Sequence, residues 1–281
     1  MAQILDGKKI AADLRARLAV EVATLNQSRH IVPGLAVVLV GNNPASEVYV
    51  RMKKKACSDV GIASFSHELP ADTSEETLLE QVALLNQDPR VHGILVQLPL
   101  PPRIREAQII QAIAPEKDVD GFHPLNAGLL AIGRPGLRPC TPMGVMALIE
   151  AAGVDPAGKH AVVIGRSNIV GKPVAMMLLQ AHATVTLCHS RTHQLEKVVA
   201  LGDIVVAAVG RPRFVQGSWI KKGAVVIDVG TNRLADGSLC GDCDFASVQP
   251  RASAISPSPG GVGPMTIAML LANTVQAAKQ S

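Results

Sequence analysis

The chain holds one tyrosine, and it stands four residues before a lysine: Tyr49 and Lys53. At about 100° per residue on a helix, Tyr49 falls close to Ala56 and Lys53 close to Val60. Both polar side chains are therefore expected on the apolar side, away from Arg51, Lys54 and Lys55. A lysine set among apolar neighbours either snorkels over a packed tyrosine or works as a proton-transfer group. Further on, Gln97 closes the apolar run that starts at Gly93. A large amide is odd in a core. It suits a ligand crevice, which in open α/β sheets lies at the carboxyl ends of the strands. Asp118 and Asp120 stand two apart in Lys117-Asp-Val-Asp-Gly-Phe-His-Pro124. Asp-Gly favours a turn, so these aspartates either build that turn or bond a polar ligand.

A second group of residues suits an anionic cofactor. In Ala161-Val-Val-Ile-Gly-Arg-Ser-Asn-Ile-Val-Gly-Lys-Pro173 an apolar strand stops at Gly165, a polar turn follows, and a helix is expected from Pro173. In that arrangement backbone N–H groups and a helix N-terminus face a phosphate. The spacing Gly-x-Ser-x-x-x-Gly departs from Gly-x-Gly-x-x-Gly, and a bare tight turn is the alternative. The next strand, Ala183–Leu187, runs into Cys188-His-Ser-Arg191. An NAD site places an acidic residue there for the ribose hydroxyls, and none is present. Ser190 and Arg191, with Arg166 in the first turn, suit a phosphate on that ribose. The reading is NADP rather than NAD, although either arginine could be an ordinary surface residue.

These groups need elements to hold them. A long amphipathic helix is expected over Leu5–Gln27, with Ile10, Leu14, Leu18 and Val22 inward. A buried strand follows at Leu35–Val40. Ser46 is placed to cap the helix that carries Lys53. Ser64–Leu69 reads as a strand, and Thr73-Ser-Glu-Glu76 resembles a capping box ahead of Leu78, Leu79, Val82 and Leu85. The run ending at Gln97 reads as a central strand. Arg105–Ile113 reads as a helix, Arg138–Pro142 as a linker, and Met143–Ala152 as the next helix. Strands ending at Gly210 and Gly230 extend a doubly wound sheet. Asp236-Gly237 marks a hairpin. Pro257–Pro264 is a glycine loop entering a last helix, Thr266–Ala278, expected to pack back on the first domain.

Bulk properties narrow the class. A chain of 281 residues suggests two domains, and its aliphatic, aromatic-poor composition favours parallel sheets covered by helices. The net charge of +4 is mild, and one Trp, one Tyr and four Phe offer little to stack on bases, so nucleic-acid binding is not expected. No apolar run reaches about 18 residues, so no membrane span is expected. Asp6, Lys8 and Lys9 break any secretory pattern at the start. Five scattered cysteines fit a reducing cytoplasm. Cys240 and Cys243 make one Cys-x-x-Cys without the second half of a zinc site, and no metal is expected.

Six ordered segments together resemble the bifunctional methylenetetrahydrofolate dehydrogenase/cyclohydrolase family. They are Ala45–Lys53, Gly93–Pro101, Lys117–Phe122, Arg138–Pro142, Val163–Pro173 and Pro259–Thr266, and they span nearly the whole chain. The resemblance implies two three-layer α/β domains, the second a Rossmann-like doubly wound, mostly parallel sheet, with a cleft between them. Residues 1–139 would form the folate-binding domain, completed by helix 266–281, and 140–265 the NADP-binding domain. A cytoplasmic homodimer is implied. Carried over by position, Lys53 is the catalytic lysine, Tyr49 lines the folate site, Gln97 contacts the lysine and substrate, and Asp120 binds the pterin. Gly165, Arg166, Ser167, Ser190 and Thr231 match cofactor contacts. Thr231, Cys243 and Leu125 depart from the commonest family pattern, and none of them removes a catalytic group.

The implied chemistry fits these groups. A methylene bridge between two folate nitrogens loses hydride to NADP⁺, and water opens the resulting methenyl cation to the 10-formyl product. The first step needs orientation, the second an activated water and a proton shuttle, which a neutral Lys53 amine could supply. Short-chain dehydrogenases also use Tyr-x-x-x-Lys, but there the pair follows the nucleotide turn, whereas here it comes first. A shikimate-type dehydrogenase, reducing a carbonyl without hydrolysis, and a non-catalytic NADP-binding module are the remaining alternatives.

Overall fold

The structure, a computed structural model, describes residues 2–281. The chain forms two compact units. One comprises Ala12–Cys140 with Ile267–Ser281, and the other the residues through Ala11 with Thr141–Thr266. They are called here the lysine unit and the glycine-turn unit.

In chain order, β1 (Gln3–Ile4) precedes α1 (Gly7–Arg29). Asp6 caps this helix, its Oδ1 accepting from Lys8 N at 3.0 Å and Lys9 N at 3.2 Å. Then come β2 (Gly34–Val40), α2 (Pro44–Val60), β3 (Ala63–Leu69), α3 (Glu75–Gln87) and β4 (Gly93–Val96). α4 (Glu106–Ala112), α5 (Pro124–Ala131) and α6 (Cys140–Ala151) follow. The alternation resumes with β5 (His160–Ile164), α7 (Gly171–Gln180), β6 (Thr184–Cys188), α8 (Leu195–Val199), β7 (Ile204–Ala207) and β8 (Val225–Asp228). β9 (Asn232–Arg233) and β10 (Leu239–Cys240) form the hairpin expected around Asp236-Gly237. α9 (Phe245–Val248), β11 (Ala254–Ile255) and α10 (Val262–Gln280) complete the chain.

The lysine unit is built on a three-stranded parallel sheet in the order β3-β2-β4. Every residue of β2 is buried, as a strand covered on both faces requires. The run ending at Gln97 was expected to be central, but β2 holds that place and β4 is the outer partner. An isolated parallel bridge from Ile94 to Asp118 covers its free edge. That bridge brings the Asp118–Asp120 segment alongside the strand leading to Gln97. Ala36, Val38, Leu78, Val82, Ile94 and Ile109 share one core cluster.

The glycine-turn unit has a six-stranded sheet in the order β1-β11-β8-β7-β5-β6, parallel at every pairing. The chain runs from β5 outward to β6, then returns to the other side of β5 as β7. The order therefore reverses at β5, where open α/β sheets leave a crevice beyond the carboxyl ends. Val162, Ile164, Val205, Ala207 and Val226 pack in its core.

The first residues differ from the sequence expectation, which kept 1–139 together. Gln3 N donates to Ser253 O at 2.8 Å and Leu5 N to Ile255 O at 2.9 Å, so β1 extends the six-stranded sheet. A two-residue strand has no periodicity to read, and only its partner β11 makes it a strand. Several element starts also move. α2 begins at Pro44, with Ser46 N donating to Asn43 Oδ1 at 3.3 Å, so Ser46 lies inside the helix. The cap of α3 is Ser74, whose Oγ accepts from Thr77 N at 3.0 Å. α6 starts at Cys140, within the expected linker, and α10 starts at Val262, inside the glycine loop.

Candidate active and cofactor sites

α2 presents one packed face through Ser46, Val50, Lys53, Ala56, Cys57 and Val60, all buried. Lys53 is 8% exposed, as its helical spacing predicted. Tyr49 is not buried with it: it is 44% exposed and stands at the border of that face, beside exposed Val48 and Met52. Tyr49 was expected on the apolar side with Lys53, but the helix instead shows an apolar and aromatic flank to solvent next to a buried amine. Burial pushes the Cys57 thiol up to about 12, against the opposing pull of the Lys53 charge one turn away.

The Lys53 amine donates from Nζ to Gln97 Oε1 at 3.0 Å. Gln97 is fixed on both sides of that contact. Its backbone N donates to Val38 O at 2.8 Å, continuing the sheet, and its Nε2 donates to Leu98 O at 2.7 Å. The amide carbonyl is thereby aimed at the amine and cannot flip without losing the second bond.

Asp118 and Asp120 divide the two roles left open by the sequence. Asp118 is buried and builds the turn, accepting from Phe122 N at 3.2 Å, His123 N at 2.8 Å and Asn126 Nδ2 at 2.8 Å. Asp120 is half-buried, and among the described residues its carboxylate accepts no hydrogen bond. Burial raises its carboxyl to about 6; the Lys53 charge pulls it down and the Asp118 charge pushes it up. Lys53, Gln97 and Asp120 thus form one electrostatically connected group, with Asp120 left free to accept from a ligand. Asn273 on α10 holds the segment from behind, donating from Nδ2 to Val119 O at 2.7 Å and to Arg138 O at 2.8 Å. Sequence reasoning missed Asn273, since a buried asparagine in an apolar helix has no local pattern to betray its partners. A cavity of about 700 Å³ opens beside α2 between Glu47, Arg51, Lys54 and Glu68, and its lining does not include Lys53, Gln97 or Asp120.

In the glycine-turn unit Gly165 takes φ 119°, and a Cβ there would lie 2.0 Å from Ala208 O. Only glycine lets the turn after β5 close against the loop after β7. The helix end behind this turn is less open to an anion than the sequence suggested. Ser167 Oγ accepts from Val170 N at 3.1 Å and Gly171 N at 3.3 Å, and Lys172 N donates to Ser167 O at 3.1 Å. Those N–H groups are already satisfied, and Ser167 keeps only its own hydroxyl proton to offer a ligand.

β5 and β6 end together, Ile164 opposite Cys188, with Gly165 N donating to Cys188 O at 2.9 Å. Arg166 and Arg191 leave these adjacent ends. A tight turn, His189 N to Thr192 Oγ1 at 2.9 Å and Arg191 N to His189 Nδ1 at 3.1 Å, turns exposed Ser190 and Arg191 outward. Among the described residues neither the Arg166 nor the Arg191 guanidinium has an ion-pair or hydrogen-bond partner. Two free guanidinium groups and no carboxylate at the end of β6 match a phosphorylated ribose better than a bare one. Thr231, also exposed, follows Gly230 after β8.

Among the described residues no group of three His, Cys, Asp or Glu side chains could hold a metal, and no helix is long and apolar enough to cross a membrane. All five cysteines are free.

Comparison with known proteins gives a consistent result. Residues 5–120 match the family model described as tetrahydrofolate dehydrogenase/cyclohydrolase, catalytic domain, and residues 139–281 match its NAD(P)-binding domain. The bifunctional protein FolD of Magnetococcus marinus is 64% identical, covering 100% of this chain and 99% of that protein. The Campylobacter jejuni methylenetetrahydrofolate dehydrogenase/cyclohydrolase structure is 48% identical with a TM-score of 0.97, covering 100% of this chain and 99% of that one. The Trypanosoma brucei enzyme, solved with NADP cofactor and an inhibitor, is 43% identical with a TM-score of 0.95, covering 99% and 98%. A shikimate dehydrogenase of Thermus thermophilus is 14% identical with a TM-score of 0.54, a likeness of fold alone.

Proposed function

The chain belongs to the tetrahydrofolate dehydrogenase/cyclohydrolase family, and on that premise we propose that Lys53, Gln97, Asp120 and Tyr49 are the residues that handle its folate. The enzyme oxidises 5,10-methylenetetrahydrofolate to the methenyl form with NADP⁺ and hydrolyses that to 10-formyltetrahydrofolate. The observation that carries the residue assignment is the hydrogen bond of 3.0 Å from the buried Lys53 amine to Gln97, set beside a carboxylate with no partner of its own.

Each group has a task that its surroundings suit. Asp120 accepts from the N–H groups of the pterin, which fixes the ring and the bridge carbon. The exposed Tyr49 ring offers a flat face to the folate, at little cost in ordering. Gln97 takes one N–H of the Lys53 amine, so the remaining valences point elsewhere. In hydrolysis the amine, acting as general base, takes a proton from the water that attacks the methenyl carbon. It returns that proton to the departing folate nitrogen as the carbon–nitrogen bond breaks, while the hydroxyl on the former methenyl carbon gives up its own proton to water and becomes the formyl carbonyl. The same amine orients the bridge for oxidation.

NADP⁺, when bound, supplies the acceptor for the hydride. Gly165, Arg166, Ser167, Ser190, Arg191 and Thr231 would hold it: Arg166, Ser190 and Arg191 at the ribose phosphate, and the close backbone approach at Gly165 at the crevice beyond β5 and β7. The rival shikimate-type reading has only a shared fold in its favour. A homodimer in the cytoplasm completes the proposal, supported by the family resemblance and checked by sedimentation and fractionation. A folate domain and a cofactor domain are likewise proposed, divided near 139/140 and 265/266, with the residues through Ala11 assigned to the cofactor domain because β1 extends its sheet. Absorbance of NADPH formed from methylenetetrahydrofolate, followed by loss of the methenyl chromophore, tests both activities at once. Reduction of a keto acid in place of folate turnover would overturn the reading.

A further inference from the structure

The loops that leave β7 and β8 are tied together by two buried aspartates that lie outside the cofactor contacts named above. Asp242, fully buried, follows the hairpin β9–β10. Its Oδ2 accepts from Val209 N at 2.6 Å and Gly210 N at 3.0 Å, and its Oδ1 from Arg211 N at 2.9 Å and Asn232 Nδ2 at 2.9 Å. The first three are the loop after β7, and the fourth is the residue after Thr231. Asp242 is itself held by Asp228, the last residue of β8: its N donates to Asp228 Oδ1 at 2.8 Å. Asp228 also accepts from Gly230 N at 3.0 Å and Cys243 N at 2.9 Å. The backbone has been cleared to let these carboxylates in. A Cβ on Gly230 would lie 2.2 Å from Asp242 Oδ1, and one on Gly241 1.8 Å from Asp228 Oδ2.

This arrangement needs a carboxylate. All four donors of Asp242 are N–H groups, and an ionised carboxyl is the side chain of this size that offers only acceptors. An asparagine would set its own NH₂ against one pair of them. No lysine or arginine forms an ion pair with it among the described residues, so the charge is held by oriented N–H dipoles alone. The fastened loops lie at the carboxyl ends of β7 and β8, beside the point where the strand order reverses. The first of them is the loop against which Gly165 closes.

We propose that Asp242 is a positioning residue for NADP⁺ binding: its carboxylate sets the loop Val209–Arg211 and the Thr231–Asn232 segment in the register that the cofactor meets. The inference rests on the cofactor reading of this sheet edge, and the bifunctional activity supplies an internal reference. Hydrolysis of the methenyl substrate, assayed without NADP⁺, uses the other unit's residues. In the full-length enzyme Asp242→Asn is expected to raise the KM for NADP⁺ about tenfold or more. The kcat at saturating NADP⁺ falls less, and the cyclohydrolase rate stays within about twofold. Asn232→Ala, which removes one donor and leaves the carboxylate, is expected to raise that KM about threefold and carries the test if Asp242→Asn does not fold. Equal loss of both activities in Asp242→Asn, or an unchanged KM for NADP⁺ in the folded variants, overturns the positioning role. Arg191→Ala and Arg166→Ala separate this from the cofactor reading: if either raises the KM for NADP⁺ while Asp242→Asn does not, only the positioning role falls. If none of the three does, the placement of the cofactor falls with it.

Discussion

Two sets of buried polar groups, one in each unit, are finished to different degrees. In the glycine-turn unit Asp242 gathers four N–H donors and Asp228 three. In the lysine unit Asp120 gathers none among the described residues, and the Lys53 amine donates to Gln97. A saturated buried carboxylate has no capacity left for a ligand and acts as a fastener. An unsaturated one costs stability and keeps its capacity for something that binds. Within the lysine unit the same contrast separates Asp118 from Asp120, two residues apart.

The largest effect expected from this contrast is at Lys53. Lys53→Met should lower methenyltetrahydrofolate hydrolysis by about 10²–10⁴-fold, the usual worth of a proton-transfer group, while NADP⁺ binding by fluorescence titration is retained. Hydrolysis within tenfold of wild type would mean that the amine is only a packed lysine.

Next come the unpaired arginines. The ratio of NADP⁺ to NAD⁺ efficiency should fall about tenfold in whichever of Arg166→Ala and Arg191→Ala removes a phosphate contact, with hydrolysis unaffected. A ratio unmoved by both substitutions would make them solvated surface groups.

A smaller effect is expected from pH. With its carboxyl raised to about 6, Asp120 takes up a proton over a range where ordinary carboxylates stay ionised. The KM for folate should therefore rise several-fold, roughly tenfold per pH unit at most, as pH falls through that value. Asp120→Asn should show weaker folate binding and no such limb. A flat profile in the wild-type enzyme would remove Asp120 from ligand binding.

The smallest effect is on stability and has the opposite sign to the loss of function. Because its pKa is higher folded than unfolded, Asp120 costs stability when ionised. That cost is absent below about pH 4, grows as pH rises, and is complete above about pH 6. Asp120→Asn should accordingly stabilise the protein by about 1–2 kcal/mol in denaturant melts at neutral pH and by little at pH about 4. Destabilisation at neutral pH would show that Asp120 is a fastener like Asp118.

Much of this was legible in the chain. The 3.6-residue spacing along α2 put Lys53 among apolar neighbours, the glycine at 165 announced a tight strand-to-helix turn, and the absent acidic residue after β6 pointed to NADP. Those signals are local: a periodicity, a backbone conformation, a charge at a fixed place on a strand. Tyr49 shows where locality fails. Helical spacing sets its direction from the axis, but whether anything packs against it depends on other elements, and there it lies open. Ser167 shows the same limit, since its role in capping α7 is set by which N–H groups the turn leaves within reach.

What the sequence determined by itself was thus the alternation of strand and helix, the parallel sheets and the residue types available for chemistry, because each rests on neighbours within a turn or two. Only the tertiary structure decided that β4 is an outer strand and that β1 joins the six-stranded sheet. Only it gave Asp118 its three donors and left Asp120 with none among the described residues, and gave Asp242 its four. The physical reason is that a carboxylate's task is set by the count of N–H groups around it, and chain segments far apart in sequence bring those groups together.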